Sequence, residues 1–594
     1  MNRDQETVDQ ATLGAVRIRS LPRWATALAG GLALLVGGTL VFRPFASLAA
    51  LLALVVISLI LLAIGELSGT PSTSDPRIAR VRSAGWLIAA LVIVLWPGLS
   101  ISGLAVLVGV LLVLDGLTDI AGAIRASRDE RMAAFVHGVA AVILGLLALA
   151  WPDVTVLVVA VVFGVRVAWL GVTTLWAAIR GPAHASGDEV PRRPRGRLAR
   201  SWHILRAAGA LVLVLALLAV SAFLRSGNPA PDAFYTPPSP VPSEPGRLLR
   251  SQPFTRGIPD GAQAYRVLYT STLDDGEPAV ASGIVIAAED LPPGPRPVIA
   301  WAHGTTGVAE GCAPSLLNDP FGAGATPALA QVIANGWVMV ATDYVGLGTA
   351  GPHPYLIGQA AGRPVLDSVR AAHQIDGLVL EDQTVVWGHS QGGHAALWAG
   401  QLADTYAPDA DVIGVAALSP AADLPALAAN VPKAPGGSIF GSYVIQAYSA
   451  VYDNVDFNDY VRAVARLQTR EMASRCLAEP EVFVSAFSVL LFDMSIWSGD
   501  PSAGALGDRL SENIPTGHIS APLLIGQGEA DRLITPTAQA AYVQRRCDAG
   551  EQVEYKTYPS FGHVDIVGEG SPMIPDLLAW TRERLEGTPA TPTC

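Results

Sequence analysis

Lysine is almost absent from this chain. Only Lys433 and Lys556 occur in 594 residues and neither follows a glycine, so no phosphate-cradling G-x-x-x-x-G-K loop exists and a nucleotide hydrolase of that type is excluded. No H-E-x-x-H string is present, and no cysteine and histidine cluster has metal-ligand spacing, so neither a metal nor a cofactor is expected. Basic charge is scarce in the C-terminal region. Residues 232–594 carry 19 Lys+Arg against 39 Asp+Glu, a net of about −20, which argues against a nucleic-acid partner. Cysteine is limited to Cys312, Cys476, Cys547 and Cys594, all in that acidic region. An even number suits two disulfides in an oxidising compartment, with the pairing open.

Before residue 225 it is charge that runs out. Seven apolar stretches, at about 24–42, 46–64, 83–96, 99–122, 133–151, 154–178 and 204–224, are each long enough, or nearly so, to cross a hydrocarbon layer of roughly 30 Å as a helix. Arginines gather in alternate connections. Arg3, Arg17, Arg19 and Arg23 precede the first span; Arg77, Arg80 and Arg82 follow the second; Arg125, Arg128 and Arg131 follow the fourth; six more between 180 and 200 follow the sixth. This places the N-terminus in the cytoplasm, and an odd number of spans puts everything after 225 on the extracytoplasmic side. No cleavable signal is evident, since the first span leads straight into the second.

The expected organisation is a cytoplasmic tail (1–23), a six-helix repeat domain (24–182), an Arg-rich cytoplasmic loop (183–203), a seventh span (204–224), a Pro-rich linker (225–246) and a C-terminal domain (247–594). Trp96-Pro97 and Trp151-Pro152 stand 55 residues apart and are followed at equal distances by Gly109 and Gly164, by Gly116 and Gly171, and by a closing Ala-Ile-Arg. Over about residues 20–182 this pattern resembles the short-repeat membrane family that includes HdeD-like acid-resistance proteins. Asp115 and Arg166 fall inside spans four and six, where charge is costly. A pair between repeats or a proton or ligand path would explain them.

Between Asn228 and Gly246 seven prolines predict an extended, semi-rigid spacer. Strand-like runs then recur at 265–271, 279–288, 296–304, 336–346, 383–390, 411–420, 521–531 and 552–563. Several are apolar on successive residues, as parallel strands buried on both faces must be. Helical stretches separate them, including "GRPVLDSVRAAHQI" with Pro364 suited to a first turn, so the domain is α/β with a mostly parallel sheet.

Two glycine motifs compete for its active site. Gly346, Gly348 and Gly351 spell the dinucleotide-binding G-x-G-x-x-G, but Pro352 and Pro354 follow at once and no helix can open there to receive a pyrophosphate. "VVWGHSQGGH" (385–394) fits its context better. With 59 glycines in the chain a G-x-S-x-G string alone proves little, yet here an apolar run precedes Ser390 and "HAALWAGQLA" continues as a helix. Strand, sharp turn and helix are what a nucleophile elbow requires. A serine needs a base and an orienting acid, and the chain order Ser, Asp, His is completed by Asp531 in "GQGEADRLITP" and His563 in "YPSFGHVD". Glu529 is the alternative acid. His389 and His394 flank the serine too closely to act as its base, and His518 lies on the wrong side of its strand. The oxyanion donors are expected to be the backbone N–H groups of Gln391 and, from "AHGTTG" after the third run, Thr305, with Gly304 as its alternative.

Four strings, "AWAHGTTGVAEGCAPS", "DYVGLGTAGPHPYLIG", "GHSQGGHAALWAG" and "GHVDIV", resemble the secretory lipase family of α/β-hydrolases over about residues 232–588. The resemblance implies hydrolysis of carboxylic esters in lipid catabolism and a helical cap at about 421–520. It also implies a Cys312–Cys476 disulfide, with Cys547–Cys594 as the remaining pair. The expectation is thus a membrane-anchored serine esterase or lipase facing the extracytoplasmic side, acting on lipid or other acyl esters. Its rivals are an acyltransferase with the same triad and a membrane stress or acid-resistance protein whose hydrolase domain binds lipid without turnover.

Overall fold

The computed structural model describes residues 101–125, 128–151 and 229–594 apart from 291–293, 325 and 493–494, with isolated positions between 24 and 91 and between 168 and 219. The chain divides into two compact units, Met1–Leu99 with Gly103–Leu211 and Ser100–Ser102 with Val212–Cys594.

In the N-terminal region a pair of helices is described in full, α1 (Ile101–Arg125) and α2 (Arg128–Ala150). They run antiparallel and meet through glycine: a Cβ added to Gly116 would lie 2.5 Å from the Gly138 carbonyl oxygen, and one added to Gly145 would lie 2.7 Å from that of Gly109. Gly109 and Gly116 are the repeat glycines, so the repeat marks places where two helix backbones touch. Val106, Val110, Leu114 and Leu117 on α1 and Met132, Phe135 and Leu146 on α2 are exposed. Small residues inside and large apolar residues outside reverse the pattern of a helix pair in water. Among the described residues one stretch, Val106–Ala123, is long and apolar enough to cross a membrane. The expected spans at 24–42, 46–64, 154–178 and 204–224 lie mostly, and Arg166 wholly, outside the described residues, and the span at 83–96 is described only at 83–88, 90 and 91, all helical.

The C-terminal unit is built on one nine-stranded sheet. Its strands are β1 (Leu248–Phe254), β2 (Ala262–Thr272), β3 (Pro278–Ala288), β4 (Arg296–Ala302), β5 (Val338–Val345), β6 (Leu380–His389), β7 (Val412–Leu418), β8 (Leu523–Gly528) and β9 (Val553–Tyr558). Their order is β1-β2-β3-β5-β4-β6-β7-β8-β9, antiparallel as far as the β3–β5 pair and parallel from β5 to β9. Eight strands match the expected runs and β1 is additional. Its polar Arg250, Ser251 and Gln252 and its Pro253 read as loop, which an edge strand paired on one side tolerates.

Alternation along β4 shows why the runs are apolar throughout. Val298, Ala300 and Ala302 enter one core with α3 (Gly358–Ala372) and α4 (Gln391–Tyr406), while Ile299 and Trp301 enter another with the C-terminal helix Met573–Leu585. The insertion between β7 and β8 is helical: α5 (Leu424–Asn430), α6 (Gly437–Val451), α7 (Arg466–Ala473), α8 (Val482–Phe492) and α9 (Gly504–Glu512). It has its own core, in which Leu424, Tyr443, Tyr448 and Leu506 pack with Tyr355 and Ile357.

Two local expectations are corrected. Pro364 sits inside α3 rather than in its first turn, because the helix starts at Gly358, where the Asn513 side chain accepts the Gly358 N–H at 2.7 Å. The Pro-rich stretch is no free spacer from Asp232 onward. Phe234 and Tyr235 are buried in the sheet's core, Tyr235 is 2.9 Å from the Ser315 hydroxyl, and the Arg266 guanidinium lies 4.3 Å over the Phe234 ring. Burying each aromatic contributes about 1.5–3 kcal/mol, which outweighs the preference of the prolines for solvated chain.

Gly116→Leu should cost the helix pair about 1–3 kcal/mol or more through overpacking. A clear fall in folded full-length protein recovered on size-exclusion chromatography is expected, while Gly122→Leu, at a position with nothing within 4 Å of an added Cβ, should leave recovery unchanged.

Candidate active site

The C-terminal ends of the parallel strands bring the candidate residues to one edge. Ser390 stands between β6 and α4 with φ +56° and ψ −115°, a region costly for any residue with a Cβ. The glycines on either side make this turn possible. A Cβ on Gly388 would fall 2.0 Å from the Gly392 carbonyl oxygen, and one on Gly392 would fall 1.8 Å from that of Ala302 at the end of β4. Backbone bonds fix the elbow: Ser390 N–H donates to Leu418 at 3.0 Å, and the Ser390 carbonyl accepts from Ala421 at 3.0 Å and His394 at 3.1 Å.

Asp531 lies in the loop after β8 and His563 in the loop after β9. The Ala530 N–H donates to the Phe561 carbonyl at 2.9 Å, and Gly528 leaves room for that carbonyl, so the two loops are tied to one another. His563 Nδ1–H donates to Asp531 Oδ2 at 2.7 Å, leaving Nε2 to accept from the Ser390 hydroxyl at 2.8 Å. Asp531 is 4% exposed, and its other oxygen accepts the N–H groups of Leu533 and Ile534, both at 2.9 Å. A carboxylate so held has one orientation to offer the imidazole. Glu529, the alternative acid, is exposed and accepts from Thr557.

The three histidines set aside as bases have structural partners. His389 Nε2–H donates to the His563 carbonyl at 2.8 Å and so holds the main chain of its neighbour. His394 donates to the Asn513 carbonyl at 2.7 Å, next to α9, and His518 pairs at the surface with Glu551. Gln391 opens α4, so its N–H is a first-turn donor with no acceptor within the helix. Thr305 follows β4 and its hydroxyl is 2.8 Å from that of Tyr355. Ties from this loop to the cap include the Cys312–Cys476 disulfide, with Cα atoms 5.1 Å apart, the Leu477 N–H donating to the Thr306 carbonyl at 2.7 Å, and the Asn318 N–H donating to the Glu479 carboxylate at 3.0 Å. A second disulfide joins Cys547 and Cys594. The G-x-G-x-x-G stretch opens no helix at Gly351; α3 begins only at Gly358.

Residues 325–593 match the secretory lipase family. Residues 81–137 and 136–221 match a short repeat of unknown function, and the two matched segments start 55 residues apart, at 81 and 136, the spacing of the Trp-Pro pairs. The chain is 24% identical over 393 residues to lipase A of Moesziomyces aphidis, covering 62% of this chain and 82% of that one. It is 28% identical over 398 residues to a probable inactive lipase of Mycobacterium tuberculosis, covering 61% and 84%. Among solved structures, the closed state of Candida antarctica lipase A superposes with a TM-score of 0.51 at 19% identity, covering 62% of this chain and 88% of that one. The fold of the C-terminal unit is therefore that of a lipase-like α/β-hydrolase.

Nothing in residue spacing singles out Tyr344, His353 and Tyr355, which surround the two loops that carry Thr305 and Gln391. The one signal for His353 and Tyr355 is the string "GPHPYLIG", which places a histidine and a tyrosine straight after a glycine turn.

Burial keeps several imidazoles neutral. His303, His353 and His394 are pushed down to about 4 and His389 to about 3, each chiefly by burial, with the nearby His563 adding to the effect on His389. In the unfolded chain these groups titrate near 6.5. Below that value the unfolded state binds more protons than the folded state, so their contribution to stability is lost as pH falls. Asp367, raised to about 6 by burial, acts in the opposite sense but only as its own value is approached. Between pH 7.5 and 6 the four histidines together should therefore remove about 2–3 kcal/mol of stability. A thermal midpoint that drops over this range, and drops less in His394→Gln, is the expected outcome of a melting series.

Proposed function

We propose that the protein is a membrane-anchored serine esterase or lipase that hydrolyses carboxylic esters of lipids. The observation that carries this is the continuous run of hydrogen bonds from Asp531 through His563 to Ser390 at a strained elbow. Ser390 Oγ attacks the ester carbonyl carbon while His563 Nε2 takes its proton. Asp531 fixes the tautomer and stabilises the imidazolium. The N–H groups of Gln391 and Thr305 hold the oxyanion. Collapse returns the proton from His563 to the leaving alcohol, and a water deprotonated by His563 then releases the carboxylic acid from the acyl-serine.

Anchoring rests on separate support. The matched repeats, the apolar stretch in α1 and the outward-facing large side chains of α1 and α2 suit lipid as solvent. The arginine distribution favours a cytoplasmic N-terminus and an extracytoplasmic hydrolase domain, where both disulfides would persist. A second reading, lipid binding without turnover, gains support from the inactive relative. The complete relay favours turnover.

Ser390→Ala should lower hydrolysis of p-nitrophenyl esters by about 10⁴-fold or more, with expression and melting unchanged, and should abolish labelling by a fluorophosphonate. Full activity in that variant would refute the assignment, and a wild type that takes no label would favour the binding reading. A series of acyl chain lengths then defines the substrate.

A further inference from the structure

Both amides assigned to the oxyanion lie on segments that a third segment grips. After β5 the chain makes two tight turns, with Gly346 at φ +79° and Gly348 at φ +72°, before α3. A Cβ on Gly346 would fall 2.6 Å from the His353 backbone nitrogen, so the glycine lets the loop fold back on itself. The fold-back presents two side chains, His353 and Tyr355, beside Tyr344 at the end of β5. Tyr344 OH donates to the His303 carbonyl at 3.0 Å, two residues before Thr305. The Tyr355 hydroxyl bonds the Thr305 hydroxyl at 2.8 Å. His353 Nδ1–H donates to the Val345 carbonyl at 2.9 Å, which leaves Nε2 to accept from the Gln391 side-chain amide at 2.9 Å. Tyr344 stacks on His353 and packs against His303, with centroids 5.8 and 4.6 Å apart. All of Tyr344, His353 and Tyr355 are buried.

We propose that the loop of residues 346–357 is a two-armed clamp in which His353 holds Gln391 and Tyr355 holds Thr305, fixing the distance between the two oxyanion amides. These are positioning residues for the reaction proposed above, and the inference rests on that reading. An oxyanion hole works because its donors are preset for a charge that exists only in the transition state; the same donors shifted by a fraction of an ångström bind the ground-state ester almost as well and the oxyanion much worse. The strand that carries each amide, β4 for Thr305 and β6 for Gln391, ends before its donor. A cross-brace from the chain after β5, the other neighbour of β4, ties the two donor segments to one another. Imidazole suits the Gln391 arm because a buried, neutral ring bonds at both ends without bringing charge toward the site, as burial ensures for His353.

The test uses full-length protein in detergent or nanodiscs. His353→Leu and Tyr355→Phe should each lower kcat on a p-nitrophenyl ester by about tenfold to a hundredfold with KM within twofold. Inhibition by a trifluoromethyl ketone of the same acyl length, which adds to Ser390 as an oxyanion, should weaken by the same factor. Thr305→Val should match Tyr355→Phe, and the double variant should lose no more than either alone, because both remove one hydrogen bond. Unchanged kcat in the single variants, a loss confined to KM, ketone affinity that does not follow kcat, or multiplicative losses in the double variant would each overturn the clamp. Tyr355→Phe keeps its ring and decides the matter if His353→Leu does not fold. An active wild type with unmoved variants sinks the clamp alone, whereas a wild type inert to both ester and ketone sinks the hydrolase reading with it.

Discussion

A lack of room holds the site together. Gly388 and Gly392 pass so close to neighbouring carbonyl oxygens that no side chain fits, and between them Ser390 is forced to a positive φ. Such a conformation costs of order 1–3 kcal/mol and persists only where the surroundings over-determine it. Here they do so with backbone bonds to Leu418, Ala421 and His394, and with a carbonyl of β4 pressed against the turn. Because the turn is set from β4, β6 and β7 together, the serine is a fixed point. The acid loop, the base loop and the cap are arranged around it.

Around that point the fold uses neutral polar groups in place of charge. His389, His394, His303 and His353 are buried, and each ties a carbonyl or an amide of a different loop: the base loop, the cap boundary, the loop after β4 and the first turn of α4. A buried charge would cost far more unless paired, and it would compete with the oxyanion and imidazolium of the proposed reaction. Imidazole held as a neutral donor and acceptor gives direction without that competition. Acidification is the corresponding weakness, since each ring must then be desolvated against its own tendency to take a proton.

Much of the candidate site is legible in the sequence because its residues are marked by local context. Ser390 is marked by an apolar run, a glycine-rich turn and a helical pattern in succession, and Asp531 and His563 stand where later strands end. The alternation of strands follows from composition and period, and the helical cap from the family resemblance. What stays hidden depends on tertiary contact. β1 is a polar edge whose identity comes from its partner β2. Phe234 and Tyr235 look like members of a proline spacer until a core is present to receive them. His353 and Tyr355 have ordinary neighbours in sequence, and only the fold-back after β5 brings them to Gln391 and Thr305. Pro364 misleads for a related reason: a helix pinned by Asn513 from the cap boundary starts earlier than its own residues suggest.

The cross-links partition the reacting groups into covalent rings. Cys312 and Cys476 are 164 residues apart and close a ring that contains Ser390, Gln391 and His353; Cys547 and Cys594 close a smaller ring of separation 47 that contains His563. Asp531 belongs to neither. A single backbone nick inside the larger ring leaves both fragments chained to one another, with Ser390 still captive. A nick between 477 and 546 severs Ser390 from His563, and from there only packing keeps the two halves in register.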